Sequence, residues 1–221
     1  MAGRGRPRTF DRTVALGRAM EVFWQHGYEG ASMTELTAAM GIASPSLYAA
    51  FGSKEALFRE AVAHYNETEG AAPQAALEEG DTARAGIEAM LRHNARSHVD
   101  PSRPLGCMVV LAATTGPAGN DEVRRFLAEC RNNDITGLRV RIERGVADGD
   151  VPPTVDTRMV ARFLGAVQQG MSIQARDGAS REALDEIVTC AMTAWDQLVP
   201  RPTTRQSPDR RGSSAGSPGQ G

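Results

Sequence analysis

The sequence predicts an all-α protein, and three observations carry that prediction. Residues 32–51 read as two short helices joined by a glycine turn. Apolar side chains recur at helical spacing through most of the rest of the chain. The 41% hydrophobic content, with only 5% aromatic, suits helices packed through Ala, Leu, Val and Met. At 221 residues the chain can hold one or two modest domains and bury a sizeable core. No run approaches the ~18 apolar residues of a membrane span, and no apolar leader opens the chain. A cytoplasmic protein with no membrane association is the default expectation.

In chain order, residues 1–9 form a basic arm. Arg4, Arg6 and Arg8 stand among Gly and Pro, which disfavour helix. Arg4-Gly5-Arg6-Pro7 looks like the core of an AT-hook, in which Arg side chains enter a narrow minor groove. A solvated tail that attracts phosphates without reading bases is the alternative. Residues 11–26 make the first helix, capped by Asp11, with Val14, Leu16, Ala19, Met20, Phe23 and Trp24 on a broad apolar face. Gly27 ends it, and Tyr28 tucks back beneath it.

Ser32 and Glu35 have the spacing of a capping box, and Leu36, Ala39 and Met40 follow on one face. Gly41 supplies the positive φ that stops the helix. Ser44 is read as the next cap and Pro45 as the first helical residue. Leu47, Tyr48 and Phe51 then give the second helix an apolar face. A helical hairpin within a globular core would have this outline, and so would a helix-turn-helix.

The flanks bear on that choice. Phe-Trp-x-x-Gly-Tyr at 23–28, Ser-x-x-Glu-Leu at 32–36, Gly-Ile at 41–42, Ser-Leu-Tyr at 46–48 and Phe-Gly-Ser-Lys-Glu-Ala-Leu-Phe at 51–58 occur in order. Together they resemble the N-terminal DNA-binding domain of the TetR (tetracycline-repressor) family over about residues 10–65. The resemblance implies a three-helix DNA-binding domain with a helix-turn-helix, followed by a helical ligand-binding and dimerisation domain. It implies a homodimer on a palindromic double-stranded operator, most simply a repressor released by an unknown small-molecule effector. A regulator without an effector is the first alternative, and a helical enzyme the second. For DNA contact the candidates are Arg4, Arg6, Thr34, Ser44, Pro45, Ser46, Tyr48, Ala49 and Lys54. Tyr48 and Lys54 stand where the family has phosphate contacts. Pro45, Ala49 and Ala50 depart from the commoner polar residues. Small apolar side chains can meet a thymine methyl but make no bidentate hydrogen bond, which shifts weight to the arm, the phosphates and DNA shape.

The domain boundaries expected are 10–52 for DNA binding, 53–69 for a linking helix, 70–200 for regulation and dimerisation, and 201–221 for a tail rich in Pro, Ser, Gly and Arg. Ser53 caps the linking helix, and residues 81–97 form the next. The continuous apolar run 105–115 has strand-like β-branched content. In an otherwise helical chain it fits a buried helix better. Tyr65, Met108, Leu111, Phe126 and Met171 are candidates for an apolar effector pocket, or they simply fill the core. Asn120 caps a long helix. Two closing helices, about 156–176 and 181–199, carry apolar faces wider than one partner needs. Val160, Phe163, Leu164, Val167, Leu184, Ile187, Ala191 and Trp195 are therefore the dimerisation candidates.

Charge is uneven. Residues 1–66 hold seven basic and six acidic side chains, 67–200 hold fourteen and twenty, and 201–221 hold four and one. Enzyme chemistry finds no support: no phosphate-binding glycine motif appears, and no nucleophile–base arrangement can be argued from spacing. His26, His64, His93 and His98 lack zinc-motif spacing. Cys107, Cys130 and Cys190 are expected to be free thiols without metal spacing. No cofactor or metal is expected.

Overall fold

The computed structural model describes residues 10–113 and 120–200. Arg4 and Arg6, with the rest of the arm, lie outside the described residues, as does the tail. The described residues form helices with no strand. They are α1 (Arg12–Gly30), α2 (Met33–Met40), α3 (Ser44–Phe51), α4 (Lys54–Thr68), α5 (Ala71–Glu79), α6 (Ala83–Ser97), α7 (Met108–Leu111), α8 (Asp121–Asp148), α9 (Thr157–Arg176) and α10 (Arg181–Leu198).

Capping explains most starts. The side chains of Asp11, Ser32, Ser53, Thr82, Asp156 and Ser180 each accept from a first-turn amide. Each such bond stabilises its helix by about 1 kcal/mol. Two expected caps are corrected. Ala43, not Ser44, precedes α3, so Pro45 follows one helical residue rather than leading the helix. Asn120 sits at the start of α8, but its side-chain amide donates to Glu29 instead of capping. The helix α5 was not foreseen. Pro73 lies in its first turn, where a missing amide donor costs nothing.

Two cores hold the molecule. In the first, Phe23 of α1 meets Phe58 of α4 edge to face at 5.0 Å, and Tyr28 meets Phe58 at 5.1 Å. Leu36, Leu47 and Phe51 of the two short helices join it. So do Met108, Val109, Val123 and Leu127, which lie far beyond residue 70. The apolar run is buried because α7 inserts between α1, α4, α8 and α9. Among the described residues of this run, only Met108–Leu111 is regular helix, where 105–115 was the expectation.

The second core joins α5, α6, the latter half of α8, α9 and α10 through Ile87, Leu91, Leu138, Ile142 and Val188. It also takes Val160, Leu164, Leu184, Ala191 and Trp195, all buried within the single chain. Those five are corrected as interface residues. Their wide apolar face is consumed by three neighbouring helices, not by a second copy. Phe163, Val167 and Ile187 remain half-buried at the rim of this core.

Candidate nucleic-acid interface

The turn between α2 and α3 is built from its sequence. The Ser32 hydroxyl accepts from the Glu35 amide at 3.1 Å, and the Glu35 carboxylate accepts from the Ser32 amide at 2.9 Å. This closes the capping box and holds the Glu35 carboxyl below its ordinary range. Gly41 takes φ 68°, a left-handed value that reverses the chain without a Cβ clash. Leu47 and Phe51 then anchor α3 inward, fully or almost fully buried. That leaves Ser44, Pro45, Ser46, Tyr48 and Ala49 outward, with Tyr48 half exposed at 50%. Thr34 on α2 is exposed too. Ala50 is half-buried against the core, so it is not a groove-facing residue.

The end of α3 is pinned from below. Arg12 donates to the Ala50 carbonyl at 3.3 Å, pairs with Glu60 at 2.7 Å and covers the Phe51 ring at 4.3 Å. Lys54 opens α4 with its ammonium 4.5 Å from the centre of the Tyr28 ring. Desolvation lowers the Lys54 pKa, and Glu29 opposes that shift. The outward face thus offers hydroxyls, small apolar groups and one ammonium. These groups can contact phosphates and thymine methyls.

Geometry and family agree at this point. Residues 15–61 match the pattern of the bacterial regulatory proteins, tetR family. The HTH-type transcriptional repressor ComR of Escherichia coli K12 is 35% identical over 197 residues, covering 89% of this chain and 94% of ComR. The chain belongs to the TetR family. It is a helix-turn-helix transcriptional regulator rather than an enzyme. Another TetR-family relative is CifR, solved as a cysteine mutant complexed with 26-bp double-strand operator DNA. That chain is 47% identical with a TM-score of 0.84, and the match covers 86% of this chain and all of CifR. The HTH-type transcriptional repressor BdcR of E. coli K12 is 29% identical, covering 81% of this chain and 86% of BdcR.

The TetR-type layout leads to the second candidate site, and here the sequence expectation is corrected. Tyr65, Met108, Leu111, Phe126 and Met171 do not line one pocket. Met108 and Met171 are fully buried in different cores. Phe126 lies under the Arg59 guanidinium at 4.6 Å, and Leu111 borders a shallow surface depression beside Gly27 and Arg176. Of these five, Tyr65 alone lines the partly open cavity of about 90 Å³, whose wall mixes polar and apolar groups. Trp24, Asn94, His98, Arg103, Cys107, Asp134 and Gln168 also line it.

The Tyr65 hydroxyl and the Cys107 thiol act on each other in the wall of this cavity, and burial pushes both pKa values up. The thiol is therefore held protonated. Burial also holds His98 neutral, its pKa lowered to about 4. Arg103 pairs with Glu69 and, at 3.4 Å, with Asp100. Sequence spacing gave no sign of this group, because its members come from α1, α4, α6, α8 and α9 and from the loop before α7. Among the described residues no cluster of His, Cys, Asp or Glu could hold a metal, and no helix is long and apolar enough to cross a membrane.

Proposed function

We propose that the chain represses transcription as a homodimer bound to a palindromic double-stranded operator, and that a small-molecule effector releases it. One observation carries the DNA-binding part of this reading: the outward set Thr34, Ser44, Pro45, Ser46, Tyr48 and Ala49, held clear of the core, in a chain 47% identical to an operator-bound regulator. Lys54 and Tyr48 would contact phosphates and position α3. Ser44, Ser46 and Ala49 would meet base edges, and Arg4 and Arg6 would enter the flanking minor groove. The functional division is 10–52 for DNA, 53–69 as the link and 70–200 for effector binding and dimerisation. The protein would work in the cytoplasm, where its operator is.

Dimerisation would place the two α3 helices about one DNA turn apart, ~34–36 Å, as a palindrome requires. Phe163, Val167 and Ile187 are the half-buried apolar residues left for that contact. Effector release needs only that the ligand prefer the form whose α3 helices are misaligned. Coupling of ~1–3 kcal/mol lowers operator affinity about 5–150-fold. The test is selection of genomic fragments by the purified protein, followed by gel shift on the recovered site. A palindrome bound as a two-to-one complex is expected. Retention of unrelated fragments with equal affinity would overturn the reading.

A further inference from the structure

The cavity beside Tyr65 carries an unmet chemical demand. Asn94 of α6 and His98, which caps that helix, lie one turn apart and line it, and they are only 3% and 6% exposed. The side-chain nitrogen of Asn94 and Nδ1 of His98 have no hydrogen-bond partner among the described residues. Buried polar groups are normally paired, because leaving one unpaired costs its full desolvation. Two such groups on one wall mark a place built for something the chain itself does not supply.

Resting on the effector reading above, we propose that this cavity takes a small, uncharged polar molecule whose oxygen accepts from the Asn94 amide. Its size follows from the volume. A cavity of about 90 Å³ suits a ligand of only a few heavy atoms. Its charge follows from the walls. Among the described residues the one cation in the wall, Arg103, is already matched by Glu69 and Asp100, and Asp134 adds another carboxylate, so an anion finds no free counter-charge there. A cation would face the Asn94 N–H dipole and a half-exposed guanidinium. Asp134 could attract it, but a cation that carries only donors leaves the Asn94 N–H without an acceptor. An oxygen acceptor on a neutral frame satisfies Asn94, and a neighbouring hydrogen or lone pair can satisfy the neutral imidazole of His98.

Occupancy would be felt at the DNA-binding end. Trp24 of α1 and Tyr65 of α4 stand in the same wall, with their rings 4.9 Å apart edge to face. The Trp24 indole donates to the Gly106 carbonyl at 3.1 Å, next to Cys107. A ligand that moves this wall moves the end of α1.

Acetamide, acetate and acetamidinium share one shape and differ in charge, so they test the inference directly. Saturation-transfer NMR on the full chain without DNA should give acetamide an affinity at least tenfold above both ions. Asn94→Leu should lose that binding at least tenfold. A crystal soaked in acetamide should place its oxygen within hydrogen-bond distance of the Asn94 amide, a measurement independent of how the variant folds. Equal binding of all three, preference for either ion, or only water in the cavity at saturating acetamide overturns the inference. Operator release by a charged or larger metabolite that leaves the cavity unoccupied would also sink it and leave effector control standing. Acetamide in the cavity, with no compound releasing the operator, would sink effector control and leave the cavity chemistry standing.

Discussion

The guanidinium of Arg176 donates to the main-chain carbonyl of Trp24 at 2.8 Å, joining residues 152 positions apart. A second bond runs to the Gln25 carbonyl at 3.0 Å. Arg176 ends α9, and the two carbonyls belong to the last regular turn of α1 before Gly27 takes φ 71°. There the helix-turn-helix unit is fastened to the larger helical region. One residue on, the Tyr28 amide donates to the Ala112 carbonyl at 2.8 Å. The fastening is thus double, one strand from α9 and one from the segment after α7.

Arg176→Gln should weaken this junction. A charged donor on helix-end carbonyls contributes ~1.5–3 kcal/mol when desolvated. Arg176 is partly exposed, so about 1 kcal/mol of lost stability is expected. Urea unfolding measures it. The same variant should bind operator but respond less to effector, because the two regions are less firmly joined. Unchanged stability together with an unchanged effector response would mean that the bridge carries neither load.

Lys54→Ala should weaken binding to every DNA sequence alike. Removing one phosphate contact lowers the slope of log K against log salt by about 0.9. Gel shifts at several salt concentrations report that slope. Tyr28 loses the ammonium over its ring, a change worth about 0.5–1 kcal/mol at a half-exposed site. Thermal unfolding should therefore shift only slightly. A changed operator preference would mean that Lys54 reads bases.

Much of this junction could be anticipated from the sequence, and some could not. Capping residues, the Gly27 and Gly41 breaks and the inward Phe23, Leu36, Leu47 and Phe58 are local signals, because helical period and turn chemistry act over a few residues. The second core misled. Val160, Leu164 and Trp195 were read as interface residues because one chain cannot reveal how many helices share a face. The cavity was invisible for a related reason. Asn94, Arg103, Asp134 and Gln168 meet only through tertiary packing, and each looks like an ordinary surface residue in its own segment.

Acid should expose His98. Its folded pKa is lowered to about 4 from an ordinary 6.5, first by burial and then by His93. The unfolded chain therefore takes up a proton between pH 6.5 and 4 that the folded chain refuses. Stability is full above pH 6.5 and falls as pH drops towards 4, by up to ~3 kcal/mol. Asp134 acts in the opposite sense. Its folded pKa is raised to about 6, so the strain of its charged form is relieved as pH falls through that value. In the native chain the two partly cancel. Asp134→Asn removes the relief, so its stability should fall more steeply than the native chain's between pH 6.5 and 4. Parallel curves from chemical unfolding at each pH would show that the two groups do not titrate in this way.

The two classes of apolar residue on α9 and α10 separate under mutation. Trp195, 2% exposed, fills the second core, so Trp195→Ala should cost about 3–5 kcal/mol of protomer stability through the cavity it leaves. Phe163, Val167 and Ile187 sit half-buried at the rim of that core. A charge there can stay hydrated in a lone chain but is stripped of water when two apolar faces meet. Val167→Asp should therefore leave the helical spectrum intact while shifting sedimentation from dimer to monomer. Because a palindrome is read by two α3 helices held at fixed spacing, the monomer should lose most of its operator affinity with its α3 face untouched. Val167→Ala should remain dimeric, since it removes little area and buries no charge. A dimeric Val167→Asp variant would move the interface to another face. A monomeric native chain at micromolar concentration would remove the two-fold arrangement on which operator reading depends.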